Sequence, residues 1–167
     1  MDVIECIRTR RSVRGYSDRD IEPALINKLI EAGAWAPSGK NCQPWRFKMV
    51  SEKKEIDGIS RMSVCEKWMR TAPCFICVFL DKEKSYNYMK DVQSCGAAIQ
   101  NILLCAHALG MGSCWIGEIL NKSEAVCELL KVDAKRYELM ALLTVGYYSH
   151  KEMLNVERRR DNDRIRI

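Results

Sequence analysis

The chain has 167 residues, 47% of them hydrophobic, with 27 basic and 22 acidic side chains and a formal net charge of +5. That length suits one domain with an arm and leaves little room for two cores, and the apolar fraction excludes a wholly disordered chain. The positive excess gathers at Arg8–Arg14 and Arg158–Arg160; it suits one small anionic ligand if the fold joins the clusters, and nucleic acid is not expected as the main ligand.

Nine cysteines would suggest disulfides in a short secreted chain. Here Met1-Asp2-Val3-Ile4-Glu5 has no basic region leading into an apolar one, so secretion is unsupported and a cytoplasmic setting is expected. Several cysteines sit in apolar company, as in Cys74–Leu80 and Cys114-Trp115-Ile116, where a reduced thiol packs as a small hydrophobe. No apolar run reaches the roughly 18 residues of a membrane span.

In chain order, Asp2 is a candidate cap for a short helix whose apolar side is Val3, Ile4, Cys6 and Ile7. After the basic segment, Pro23 falls in the first turn of a stronger helix, with Leu25, Ile26, Leu29, Ile30 and Gly33 on one face. That helix stops before Pro37, and Ala36–Pro44 reads as a loop dense in turn formers. Trp45–Val50 alternates as a strand with one buried face. A polar helix starts at Ser51–Lys54, and less regular helical sequence runs on to Arg70.

Cys74–Leu80 is apolar on both sides, the pattern of an interior strand with both sheet faces covered. The strongest helix runs from about Ser85 to Ala108, and its small Gly96, Ala97 and Ala98 invite close approach by another helix or a flat ligand. It ends in a glycine-rich turn at Gly110, and a further helix capped by Ser123 runs to about Leu130. Tyr137–Val145 is another strand, ended by Gly146. The last twenty residues are highly charged and cannot bury much alone. Helices interleaved with about three strands favour an α/β or α+β layer with helices covering a sheet.

Most catalytic signatures are missing. The two histidines, His107 and His150, stand in no His-Glu-x-x-His, and Cys74-x-x-Cys77 has no second pair at zinc or iron–sulfur spacing, so no metal is expected. Gly110-Met111-Gly112 does not extend into a dinucleotide fingerprint, and no glycine loop ends in Gly-Lys-Ser or Gly-Lys-Thr. What remains is an arginine- and serine-rich turn, whose guanidinium forks and hydroxyl suit a phosphate, and a loop whose Asn41 and Gln43 offer both donors and acceptors.

Those residues carry a resemblance. Arg10-Arg11-Ser12-Val13-Arg14-Gly15-Tyr16 and Ala34–Trp45 are similar to the two signature segments of the nitroreductase family. Asp91–Asn101, Leu109–Gly112, Cys114-Trp115-Ile116-Gly117 and Val145-Gly146-Tyr147 follow in the family's order, so the resemblance covers nearly the whole chain.

The resemblance implies an α+β, three-layer-like fold: a central, mostly antiparallel sheet covered by helices, with a C-terminal arm exchanged in a homodimer. It divides the chain into an FMN-binding domain, residues 1–147, and an arm, residues 148–167, that packs on the partner subunit. Arg10 and Ser12, with Arg11 at least through its backbone, would hold phosphate or ribityl oxygens, and Arg14 would approach the pyrimidine end of the flavin. Pro37, Ser38, Gly39, Asn41 and Gln43 would reach the ring from the partner subunit. Ile116 and Gly117 would lie beside the ring, and a backbone N–H of Gly117 or Glu118 would donate to flavin N5. Arg158 or Arg160 would supply a terminal phosphate contact, although the chain reads Gly146-Tyr147-Tyr148 and has no proline after Pro73, a departure from the family pattern.

The implied reaction passes hydride from NADH or NADPH through FMN to a small electron-poor acceptor such as a nitroaromatic or quinone, with no side-chain nucleophile. Two other readings stay open: specialised flavin chemistry such as dehalogenation, ene reduction or flavin fragmentation, and non-catalytic flavin binding. A specialised site usually needs a lid, for which Met62, Trp68 and Met69 are candidates within a short segment.

Overall fold

The computed structural model describes residues 1–150; Arg158, Arg160 and most of the expected arm lie outside the described residues. Among the described residues, six α-helices and four strands follow in order: α1 (Val3–Thr9), α2 (Pro23–Ala34), β1 (Trp45–Val50), α3 (Lys53–Ser60), α4 (Glu66–Met69), β2 (Cys74–Asp81), α5 (Tyr88–Ala108), β3 (Gly112–Ile116), α6 (Ser123–Leu129) and β4 (Tyr137–Gly146). The strands form one sheet in the order β1-β2-β4-β3, and every pairing is antiparallel.

Period-two alternation along β2 decides the layering. Cys74, Ile76 and Val78 pack with Leu29 of α2 and Ile99, Ile102 and Leu103 of α5. Phe75, Cys77 and Phe79 face the other way, onto Ile56 and Ile59 of α3, Met69 of α4 and Val126 of α6. Helices therefore cover both faces, and every residue of β2 is buried, as its uninterrupted apolar sequence predicts. Cys74 and Cys77 fall in opposite clusters, so this spacing makes no redox pair. On β4, Leu139 and Leu142 share a face although they are three residues apart. A bulge explains it: Val78 pairs with Ala141 and Phe79 with Leu139, so Met140 is the extra residue.

Several boundaries differ from the sequence expectation. α5 begins at Tyr88, because Asn87 caps it by accepting from the Lys90 N–H. Ser123 is the first residue of α6 and makes no capping bond. The 61–70 stretch is mostly turns with one short helix, and Met69 is fully buried core, which removes it as a lid residue. The apolar side of α1 buries only Cys6, while Val3, Ile4 and Ile7 are exposed. The turn after Gly110 leads directly into β3, a strand that local composition alone does not mark.

Candidate functional site

The basic turn is held against the exposed edge of β3. Ser12 forms a parallel bridge with Ser113, and the Val13 N–H donates to the Ser113 carbonyl at 3.0 Å. Alternation then decides orientation: Val13 is buried, while Ser12 and Arg14 are exposed. Gly112 makes the approach possible, since a Cβ there would lie 2.8 Å from the Val13 side chain. Buried Tyr16 locks the end of the turn, with its hydroxyl 2.6 Å from Thr144 Oγ1 and donating to the Val13 carbonyl at 2.9 Å. Burial, more than any charge, raises the Tyr16 phenol well above its usual range, so it stays neutral and able to donate.

Cys114, next along β3, is core and feels the charges of this turn. Burial raises that thiol, and Arg14, a hydrogen bond with Ser12 and Arg10 act in the opposite direction. Arg11 points elsewhere, its Nη1 donating to the carbonyls of Arg8 at 2.7 Å and Arg10 at 3.0 Å. Its side chain thus serves the C-terminal end of α1. Nearby, Thr9 Oγ1 lies 2.8 Å from His107 Nε2, and burial, followed by Arg10 and Arg11, pulls the His107 pKa down.

Ile116, Gly117 and Glu118 lie at the far end of the same strand. The Ile116 side chain is core, so only its backbone is on offer there. A Cβ on Gly117 would meet nothing within 4 Å, so the space beside this exposed residue is open, while its carbonyl accepts from the Leu120 N–H at 3.1 Å. Glu118 Oε2 accepts from Ser63 Oγ at 2.6 Å, and the Arg14 guanidinium sits 6.0 Å from the Trp68 ring centre. Both contacts tie the 61–70 segment to the β3 edge. Trp68 is packed on the core and Val64 is 88% exposed. The sequence reading missed Ser63, whose only signal is a hydroxyl in an otherwise unremarked turn.

The second group occupies the opposite edge of the sheet, in the loop before β1. Lys40, Asn41 and Gln43 all have positive φ, at 54°, 53° and 48°. This strained path is fixed by Ser38 Oγ, which accepts from the Gln43 N–H at 3.0 Å, and by Gln43 Nε2 donating to Asn41 Oδ1 at 3.1 Å. Below the loop, fully buried Asp91 accepts from Cys42 Sγ at 3.3 Å, Ser85 Oγ at 2.7 Å, the Tyr86 N–H at 2.9 Å and the Asn87 N–H at 3.0 Å. Burial alone would raise its pKa, but these bonds together outweigh burial and hold it below the usual carboxylate range.

Pro37, Ser38 and Gly39 line a cavity of about 310 Å³, completed by Tyr86 and by Lys90, Gln93, Ser94 and Ala97 of α5. The α5 residues recur at the three- and four-residue spacing of one helix face. That spacing was the available signal for Lys90, Gln93 and Ser94, which the sequence reading did not assign to the site. An added Cβ at position 39 would meet the Tyr86 hydroxyl, so a larger residue there requires that ring to shift.

The structure therefore places Arg10, Ser12 and Arg14 along the same sheet edge whose far end carries Gly117 and Glu118, and brings Pro37, Ser38, Gly39, Asn41 and Gln43 together with one another. It does not join the two groups within one chain. With β2 and β4 between their edges, three strand spacings separate them, roughly 14 Å.

Comparison with known proteins settles the family. The sequence model of the nitroreductase family matches residues 7–65 and 59–147. The chain belongs to the nitroreductase family, within the FMN-dependent NAD(P)H oxidoreductase superfamily. A protein of Archaeoglobus fulgidus assigned as an NADH dehydrogenase/NAD(P)H nitroreductase is 34% identical over 168 residues, spanning 98% of this chain and 96% of that one. A Methanothermobacter thermautotrophicus protein with the same assignment is 40% identical over 119 residues, 70% of this chain and 61% of its own length. The crystal structure of a Desulfovibrio desulfuricans protein assigned as a nitroreductase, in complex with FMN, superposes with a TM-score of 0.91 at 36% identity, covering 98% of this chain and 94% of that one. The antiparallel sheet covered by helices is the fold of this family. Among the described residues, no helix is long and apolar enough to cross a membrane, and no three metal-ligating side chains cluster.

Proposed function

We propose that this chain is an FMN-dependent oxidoreductase that passes hydride from NADH or NADPH to a small electron-poor acceptor, such as a nitroaromatic or quinone, and that it works as a homodimer. One observation carries this reading: the residues suited to a flavin stand on opposite edges of the sheet, so a second copy is needed to complete the site. Exposed apolar side chains along α1 support pairing, with Val3 70%, Ile4 57% and Ile7 42% exposed. Gly96 presents open space above α5, so a neighbouring backbone can approach there. The expected arm, residues 148–167, and the contacts of Arg158 or Arg160 remain part of this proposal. The nine unpaired cysteines support a reducing compartment, the cytoplasm.

The residues present fit FMN. Arg10 and Ser12 would hold the phosphate end by charge-assisted bonds, and Arg11 would contribute through its backbone while its guanidinium caps α1. Arg14 would place positive charge at the pyrimidine end, and the N–H of Gly117, beside open space, or that of Glu118, would donate to N5. Pro37, Ser38, Gly39, Asn41 and Gln43 of the second copy would close the other side. When bound, FMN supplies the acceptance and release of hydride. The chain's own part is to orient donor and acceptor over one open face and to stabilise developing negative charge, with no nucleophile or dedicated acid.

Purified protein should be yellow with one FMN per chain, and anaerobic NADH or NADPH should bleach it. Arg10→Ala should weaken FMN binding by about 1.5–3 kcal/mol, the worth of a hydrogen bond to a charged group. Wild-type affinity in that variant would remove Arg10 from the site. Colourless protein that ignores added FMN would reject the whole reading.

A further inference from the structure

The loop of Pro37–Gln43 carries a charge arrangement that the flavin reading does not use. Lys40 Nζ lies 5.1 Å and Lys90 Nζ 5.7 Å from the centre of the same ring, that of Tyr86. The ring belongs to the wall of the cavity that Lys90 also lines, and Lys40 is delivered to it by a backbone in the left-handed region. Neither ammonium is within ion-pairing distance of a carboxylate among the described residues. The nearest acid in sequence, Asp91, is buried and occupied by its own donors. The ring face attracts each ammonium but neutralises neither charge. An oxyanion that met both would neutralise them.

We propose that Lys40 and Lys90, both set against Tyr86, form an oxyanion-recognition pair that selects redox partners bearing a carboxylate or phosphate. This rests on the flavin reading and deepens it, because Pro37, Ser38 and Gly39 of the same cavity are the residues assigned to the flavin. The Tyr86 hydroxyl, packed against Gly39, and the Ser38 hydroxyl sit on the same wall and offer neutral polar contacts to the rest of the ligand. A cavity of about 310 Å³ accommodates a single substituted ring or one end of a dinucleotide. The pair is thus a specificity device beside the reaction and takes no part in hydride transfer.

The test is calorimetric titration of the FMN-loaded protein with two inert ligands of one shape, benzoate and benzamide, and with NADP+ and NAD+. Wild type should bind benzoate about tenfold more tightly than benzamide, about threefold for each exposed ammonium. The Lys40→Met, Lys90→Met double variant should erase that preference while benzamide affinity moves less than twofold, and Lys90→Glu should push benzoate below benzamide. Loss of a preference for NADP+ over NAD+ in the double variant, with benzoate unaffected, would support the pair and assign it to the donor's phosphate. Equal wild-type affinities within both ligand pairs would overturn the proposal. So would a double variant that loosens FMN itself and leaves both preferences intact, since the lysines would then belong to the cofactor. FMN stoichiometry read from absorbance reports separately on the flavin reading, so the two failures are distinguishable. Both lysines are exposed, so their replacement leaves the core untouched.

Discussion

The two edges of the sheet carry the two halves of the candidate site, and they are built differently. At the β3 edge, the Arg10–Tyr16 segment is held as an extra piece of strand, with its backbone on Ser113, Val13 in the core and Tyr16 bonded to Thr144. At the β1 edge, the Pro37–Gln43 loop has no strand to lean on. It is shaped by left-handed residues and tied through Cys42 to one buried carboxylate, Asp91. The first half gains its rigidity from the same hydrogen bonding and packing that make the sheet. The second is held by bonds within the loop and by one polar hub beneath it. A rigid cationic edge suits an anion whose position must not vary, whereas a loop held mostly by its own bonds suits a wall that meets ligands of different shape.

The largest effect that would sharpen this contrast is expected from Asp91→Ala. It strands the Ser85 hydroxyl and the Tyr86 and Asn87 amides, and should cost about 3 kcal/mol in urea unfolding. Cys42→Ser, which keeps a donor to Asp91, should cost far less. Because Asp91 and Asp81 titrate below their usual range in the folded protein, their contribution is present above about pH 4 and is lost as pH falls through the folded values. For Asp81 the leading cause is the hydrogen bonds from Arg136. Acid unfolding of Asp91→Asn should therefore be shallower than that of wild type, and an identical acid limb would break the idea of a carboxylate hub.

At the other edge, Gly112→Val should cost about 2 kcal/mol by overpacking against Val13, and should loosen FMN because Ser12 and Arg14 ride on the displaced segment. Normal stability and normal FMN affinity in that variant would show that the edge strand is not what fixes the cationic turn. Tyr16→Phe should cost about 1 kcal/mol, since it removes one buried hydroxyl that donates to Val13 and meets Thr144. The smallest disturbance is chemical. Burial lifts the thiols of Cys74, Cys77 and Cys95 to about 12, so brief alkylation at pH 8 should spare them and mark half-buried Cys42, Cys65 and Cys105 first. Mass spectrometry reads the order, and early labelling of Cys77 would mean that the β2 core opens readily.

Much of the layering was legible in the sequence. The unbroken apolar run of β2 can only be satisfied when both faces are covered, and the helical spacing on α2 and α5 states which sides do the covering. The basic turn and the carboxamide loop were legible as groups of suitable chemistry. Their attachment was not. Ser113, Ser63 and Asp91 act through contacts across dozens of residues, and nothing local in a serine or aspartate marks it as the partner of a distant segment. The lid reading failed at Met69 for the same reason, because an apolar residue in a short irregular stretch reads alike whether it faces solvent or the core.

The sequence by itself determined the residue chemistry, the family to which its ordered motifs point, and the period of each main element, because these depend on side-chain type and near neighbours along the chain. Only the tertiary structure decided that the arginine turn joins β3, that β1 stands at the opposite edge, and that Lys40 and Lys90 meet at Tyr86. Strand order and the meeting of remote loops are set by how whole faces pack. That is a property of the assembled layers, and no local stretch of the chain contains it.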